Sequence, residues 1–159
     1  MTPTSRAERF RFLYRQAEGV VDRGTWARAS APPVGIALVM TAIALMIAPS
    51  GPRDLAHEAF IDPIVVATHA YLLVYAFALI LCAVAEYFLS AKRFADRGKP
   101  PALAGLAPFS LFLAAAAHWY QPRSEGAAPA WLTYAFDAVA ITIVVWNVVE
   151  LGFGGSRRR

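Results

Sequence analysis

Few ionisable side chains fall inside the apolar stretches of this chain, and its chemistry has to be sought among them. His69, His118 and Asp137 form one group, Glu86 and Glu150 a second, and Cys82 stands alone. An ionised group well inside a membrane costs roughly 2.5 to 3.5 kcal/mol on insertion scales, so each of these residues needs a partner or a task. Imidazole and carboxylate together can hold a proton. Two imidazoles at matched depth on facing helices could ligate a b-type haem. The expected arrangement is plainer: Asp137 is satisfied by a histidine or by Tyr71, Tyr75 or Thr133, in a hydrogen-bond network without chemistry. A polar vestibule for a small solute or proton, and haem b between His69 and His118, are the alternatives. No catalytic constellation, metal-ligand spacing or resident cofactor is expected, and Cys82 reads as a small packing residue.

The elements that carry these groups are read from the apolar runs. Of 159 residues, 58% are hydrophobic, and a mean hydropathy of +0.46 is too high for an ordinary soluble domain. Stretches at about 34–49, 63–89, 102–120 and 130–153 are nearly free of charge, and a span needs roughly 20 mainly apolar residues. These four runs predict four spans, the first completed by its flanks. Short connections make consecutive helices antiparallel, which gives an all-α, up-down four-helix transmembrane bundle.

Charge orients the bundle. Arg6, Arg9, Arg11, Arg15, Arg23 and Arg28 precede the first span, Lys92, Arg93, Arg97 and Lys99 lie between the second and third, and Arg157, Arg158 and Arg159 end the chain. The other two loops hold Arg53 and Arg123, so the balance is 13 against 2 and both termini are expected in the cytoplasm. The net charge of +4 then points to anionic phospholipid headgroups rather than nucleic acid. A cleaved signal peptide ending near Ala48 is the competing reading of the first run. The long, patterned segment before it argues for a retained span.

That segment, 1–33, opens with Ser5 and Glu8 in capping-box spacing. Phe10, Leu13, Tyr14, Ala17 and Val21 share one helical face, as expected of an amphipathic helix lying in the interface or against the bundle ends. Pro32-Pro33 is expected to mark the start of the first span. Ala37, Thr41, Ala44 and Ala48 make a small-residue stripe suited to helix contact, and Trp119, Tyr120, Trp131 and Tyr134 read as an aromatic belt. Glu86 and Glu150 are expected to join Arg23, Arg28, Lys92, Arg93, Asp96 and Arg97 in an ion-pair belt, with binding of a lipid phosphate as the alternative role for its basic members.

Ser90-Ala91-Lys92-Arg93-Phe94-Ala95-Asp96-Arg97-Gly98-Lys99-Pro100 resembles the signature of the YhaH-like bacterial inner-membrane family, a domain of unknown function. Asp22-Arg23-Gly24-Thr25-Trp26-Ala27-Arg28 and Val149-Glu150-Leu151-Gly152-Phe153 are similar to its first-helix start and last-helix end. Ala95 stands where the family usually has His, and the tail at 154–159 lacks its Gly/Asn-rich form. The resemblance implies a four-helix inner-membrane protein and no established activity. The small-residue stripes, the basic cytoplasmic face and the lack of catalytic groups give the reading of a non-catalytic accessory, assembly or scaffold component that packs against other subunits or itself. A small oligomeric transporter or channel-like protein is the alternative, and a haem-binding membrane protein the third.

Overall fold

Ser5 opens the first helix as a capping box: its hydroxyl accepts from the Glu8 N–H and the Glu8 carboxylate accepts from the Ser5 N–H, each at 3.1 Å. The computed structural model describes residues 5–47 and 62–155, and every regular element among them is helical. They are α1 (Arg6–Tyr14), α2 (Arg23–Ile47), α3 (Pro63–Asp96), α4 (Leu106–Tyr120) and α5 (Ala130–Phe153), with 3-10 turns at Pro101–Gly105 and Gln121–Arg123. Four segments are long and apolar enough to cross a membrane: Arg23–Ile47, Pro63–Asp96, Pro101–Arg123 and Ala130–Phe153. Ala48, the flank at 49–52 expected to complete the first span, Arg53 and the terminal arginines lie outside the described residues.

Three boundaries differ from expectation. First, α1 stops at Tyr14 instead of running to Val21. The chain turns back through Gly19, whose φ of +102° suits glycine and where a Cβ would stand 2.7 Å from the Phe12 ring. That return still buries Val21, together with Leu13, Ala29 and Leu89.

Second, α2 begins at Arg23 and runs through Pro32 and Pro33. Asp22 caps it, accepting from the Thr25 N–H at 2.9 Å and the Thr25 hydroxyl at 2.8 Å. The same bonds hold the Asp22 carboxyl below its ordinary range. A proline at position 33 has no N–H for the Ala29 carbonyl, four residues back. The Tyr14 hydroxyl supplies the missing donor at 2.9 Å.

Third, α3 continues seven residues beyond 89, so the first part of the expected central loop is helix. It ends in a Schellman motif, Lys99 N–H to Phe94 C=O and Gly98 N–H to Ala95 C=O, both 2.9 Å, with Gly98 at φ +68°. At 1.5 Å per residue α3 is about 51 Å long against ~30 Å of hydrocarbon, so it outruns the bilayer core.

Contacts divide the chain into two units, Met1–Ser30 with Val84–Arg159, and Ala31–Ala83. In the second unit the small stripe meets tyrosines of α3: Tyr71 donates to the Met40 carbonyl at 2.7 Å, and the Thr41 and Tyr75 hydroxyls lie 3.1 Å apart. Ala44 is buried there. In the first unit α4 and α5 pack through Ser110 and Ala114 on one side and Thr133, Ala140 and Asn147 on the other. The seven-residue spacing keeps the α5 seam straight, and its small residues admit the close approach that helix association in lipid requires.

Outward faces are apolar, with Met46 78%, Leu73 75% and Phe112 67% exposed. Such surfaces suit lipid rather than water. Trp119, Tyr120, Trp131 and Tyr134 are likewise exposed around the α4–α5 connection.

The Tyr14 substitution for Pro33's absent donor is open to a double-mutant cycle in detergent melts. Tyr14→Phe leaves the Ala29 carbonyl unpaired and is expected to cost about 1–3 kcal/mol. In a Pro33→Ala background, where the N–H returns, most of that cost should disappear; equal costs in both backgrounds would contradict the assignment.

Candidate functional site

The two largest fully buried side chains among the described residues are charged. Arg93 and Lys92 are both 0% exposed, as are Phe94, Leu89 and Leu151. Sequential residues on a helix point about 100° apart, so the end of α3 sends a cation in each of two directions.

Lys92 reaches the end of α1. Its Nζ donates to the Leu13 carbonyl at 3.0 Å and to the Gln16 carbonyl, with the Phe12 ring centroid at 5.2 Å and that of Phe88 at 6.0 Å. These carbonyls lie at and just beyond the end of a nine-residue helix, where backbone acceptors lack intrahelical donors and the helix dipole favours a positive charge.

Arg93 reaches the end of α5. Nε donates to the Leu151 carbonyl at 3.1 Å and a terminal nitrogen donates to the Gly154 carbonyl at 2.6 Å, while the other terminal nitrogen pairs with Asp96. One turn on, Arg97 donates to the Glu150 carbonyl and pairs with its carboxylate at 2.6 Å, and Lys99 also pairs with that carboxylate. α5 has no basic residue in its own last turn, and Gly154 is extended at φ −69°, ψ 136° rather than left-handed. The usual glycine cap is absent, and arginines from α3 take its place. Ala91, Phe94, Ala104 and Leu151 form the apolar floor, with Trp26, Tyr87 and Leu103 packed against it.

Of the expected belt, Lys92, Arg93, Asp96, Arg97 and Glu150 therefore gather at one end of this unit. Lys92, though, serves backbone carbonyls rather than a carboxylate. Glu86 is not with them. It sits two helical turns, roughly 10 Å, from Arg93 and accepts from the Ser30 hydroxyl at 3.1 Å, while its Oε1 is buried with no hydrogen-bond partner among the described residues. Arg23 and Arg28 are exposed, and the Arg28 Nε donates to the Gly24 carbonyl of its own helix at 3.1 Å. Being at the start of α2, they face solvent on the cap of Asp22 rather than the α3–α5 contact.

Of the intramembrane group, His118 and Asp137 meet, with Nε2 at 3.0 and 3.1 Å from the two carboxylate oxygens. The pair is open, His118 60% and Asp137 33% exposed in their side chains. It can share a proton. The same nitrogen that would ligate haem iron is directed at the carboxylate. His69 belongs to the other unit, where its Nδ1 lies 2.8 Å from the Val65 carbonyl one turn back. Tyr71 and Tyr75, offered as partners for Asp137, are engaged with Met40 and Thr41 in that unit. Among the described residues no three His, Cys, Asp or Glu side chains gather in a way that could hold a metal ion.

Comparison with protein-family models, with curated proteins and with solved structures gives no match to this chain.

A Cβ on Gly154 would fall on the Arg97 guanidinium. Gly154→Ala is therefore expected to displace Arg97 from Glu150 and lower stability by about 1–3 kcal/mol, read as a fall of several degrees in a detergent melt. Gly155→Ala, where nothing lies within 4 Å, should melt like the parent. In an Arg97→Ala background the Gly154→Ala penalty should largely vanish, and a full penalty there would rule out this contact as its cause.

Proposed function

We propose that this chain is a non-catalytic multi-pass protein of the bacterial inner membrane, with both termini cytoplasmic, that serves as an accessory, assembly or scaffold component by packing against other membrane subunits or against itself. The observation that carries the reading is the use of the positive charge around the end of α3: Lys92, Arg93 and Arg97 spend their donors on helix ends and on neighbouring carboxylates. Groups so engaged hold a scaffold together and are not left for a substrate. The 13-to-2 distribution of basic residues supports the orientation. Similarity of the 90–100 segment to the YhaH-like family supports the same membrane and the same modest role. The broad apolar faces of α4 and α5, carrying Phe109, Phe112, Ile141 and Val145, offer surface to lipid or to a neighbouring helix.

A second reading rests on one observation, the half-open His118–Asp137 pair on otherwise apolar helices. A polar pair of this kind suits a small oligomeric transporter, with proton or solute passing the carboxylate.

Single cysteines at Ser124 and Gly155 in a Cys82→Ala background test the orientation. An impermeant maleimide should label Ser124→Cys on whole cells and Gly155→Cys only after lysis; the reverse pattern would overturn it. Mild solubilisation of the tagged chain tests the role. Elution in a stoichiometric heteromeric complex, with no flux in liposomes, is the expected result. A homo-oligomer whose liposome flux is abolished by Asp137→Asn would replace the scaffold reading with the transporter.

A further inference from the structure

The basic residues of the α3 end are occupied, so an anionic ligand has to find its cations elsewhere in this unit. A cleft of about 220 Å³ opens between α1 and the first turns of α2, lined by Arg9, Leu13, Tyr14, Thr25, Arg28 and Ala29. Arg9 makes no side-chain hydrogen bond or ion pair with the described residues. Arg28 commits only its Nε, to Gly24, which leaves both terminal nitrogens. Two guanidinium groups from two different helices thus border one cleft with most of their donors unspent.

The carboxylate that caps α2 is already engaged. Both oxygens of the Asp22 carboxylate are held by Thr25, and the Tyr14 phenol donates to Ala29. Burial, ahead of the field of Glu86, pushes that phenol above its ordinary pKa, so it stays a neutral donor. What remains is a cleft lined by two cations together with Leu13, Tyr14, Thr25 and Ala29. Guanidinium forks match the oxygens of a phosphate bidentately.

We propose that the Arg9–Arg28 cleft binds a phosphoryl group, presented either by an anionic phospholipid or by a soluble phosphate compound. This deepens the headgroup contact expected of the chain and rests on the cytoplasmic placement proposed above, which the cysteine-labelling experiment tests independently. It also moves the anion site away from Lys92, Arg93 and Arg97, whose basic sequence advertises one.

The test compares Arg9→Gln/Arg28→Gln with Arg11→Gln/Arg15→Gln, which removes the same charge from exposed positions in and just after α1 that do not line the cleft. Native mass spectrometry after release from nanodiscs of phosphatidylethanolamine and phosphatidylglycerol counts retained lipid. Retention of phosphatidylglycerol should fall by roughly tenfold or more in the first variant, which loses the charge-assisted forks of the cleft, and markedly less in the second. A parallel melt with inorganic phosphate in uncharged detergent reads the soluble source. Phosphate stabilisation lost only in the first variant, without lipid retention, would assign the cleft to a soluble phosphate. Equal behaviour of the two variants in both assays overturns the site. Should the first variant fail to fold, Arg9→Lys/Arg28→Lys keeps the charge and removes the forks; unchanged retention there, in a folded protein, likewise overturns it.

Discussion

Two adjacent cations at the end of one helix hold the ends of two others. Lys92 and Arg93 are wholly withdrawn from solvent, and a charge so placed is tolerable only if hydrogen bonds answer it. The answer comes from backbone carbonyls that also lack donors, at the ends of α1 and α5. Each side of the contact removes the other's penalty. The arrangement also sets where α1 and α5 stop: α1 has its last carbonyls turned to Lys92, and α5 ends without a glycine cap because Arg93 and Arg97 serve in its place.

Cohesion has to be concentrated in this way because the spans bury little. Between 6% and 17% of each apolar window is buried, and in lipid the burial of one alkyl chain against another contributes little to helix association. Polar contacts at the ends and small-residue seams between helices do what a hydrophobic core does in water. The length of α3 fits this role, since about 51 Å of helix carries its last turns beyond ~30 Å of hydrocarbon, where arginine and lysine are less costly. Tyr14 illustrates the same economy of donors: α2 passes through two prolines, and a hydroxyl from α1 meets the carbonyl that Pro33 leaves open.

Much of this was legible in the chain. Apolar run length alone indicates four membrane-length helices, and Ser5 with Glu8 marks the start of α1 because a capping box is local in sequence. The pairing of Asp137 with a histidine was within reach because the α4–α5 connection is short. What the sequence hides is long-range. Nothing local says that Lys92 would choose the carbonyls of Leu13 and Gln16 over a carboxylate, 76 or more residues away. Pro32-Pro33 reads as the start of the first span because the compensating Tyr14 lies on another helix. The helix at 90–96 reads as loop because its charges suggest solvent, whereas they are among the most buried groups described. Proximity in sequence places Glu86 in the belt, whereas two turns of helix separate it from Arg93.

The claim that these cations hold helix ends, beyond orienting the chain, is tested most directly by exchanging them. Lys92→Arg/Arg93→Lys preserves net charge and the positive-inside signal while giving each site the wrong donor geometry. Thermal unfolding of the exchanged protein in mild detergent, with topology checked by cysteine labelling, is the measurement. The account predicts unchanged orientation and a melting temperature lowered by many degrees or a loss of the folded form. A parental melting temperature would contradict it and return these residues to the role of topological signals alone.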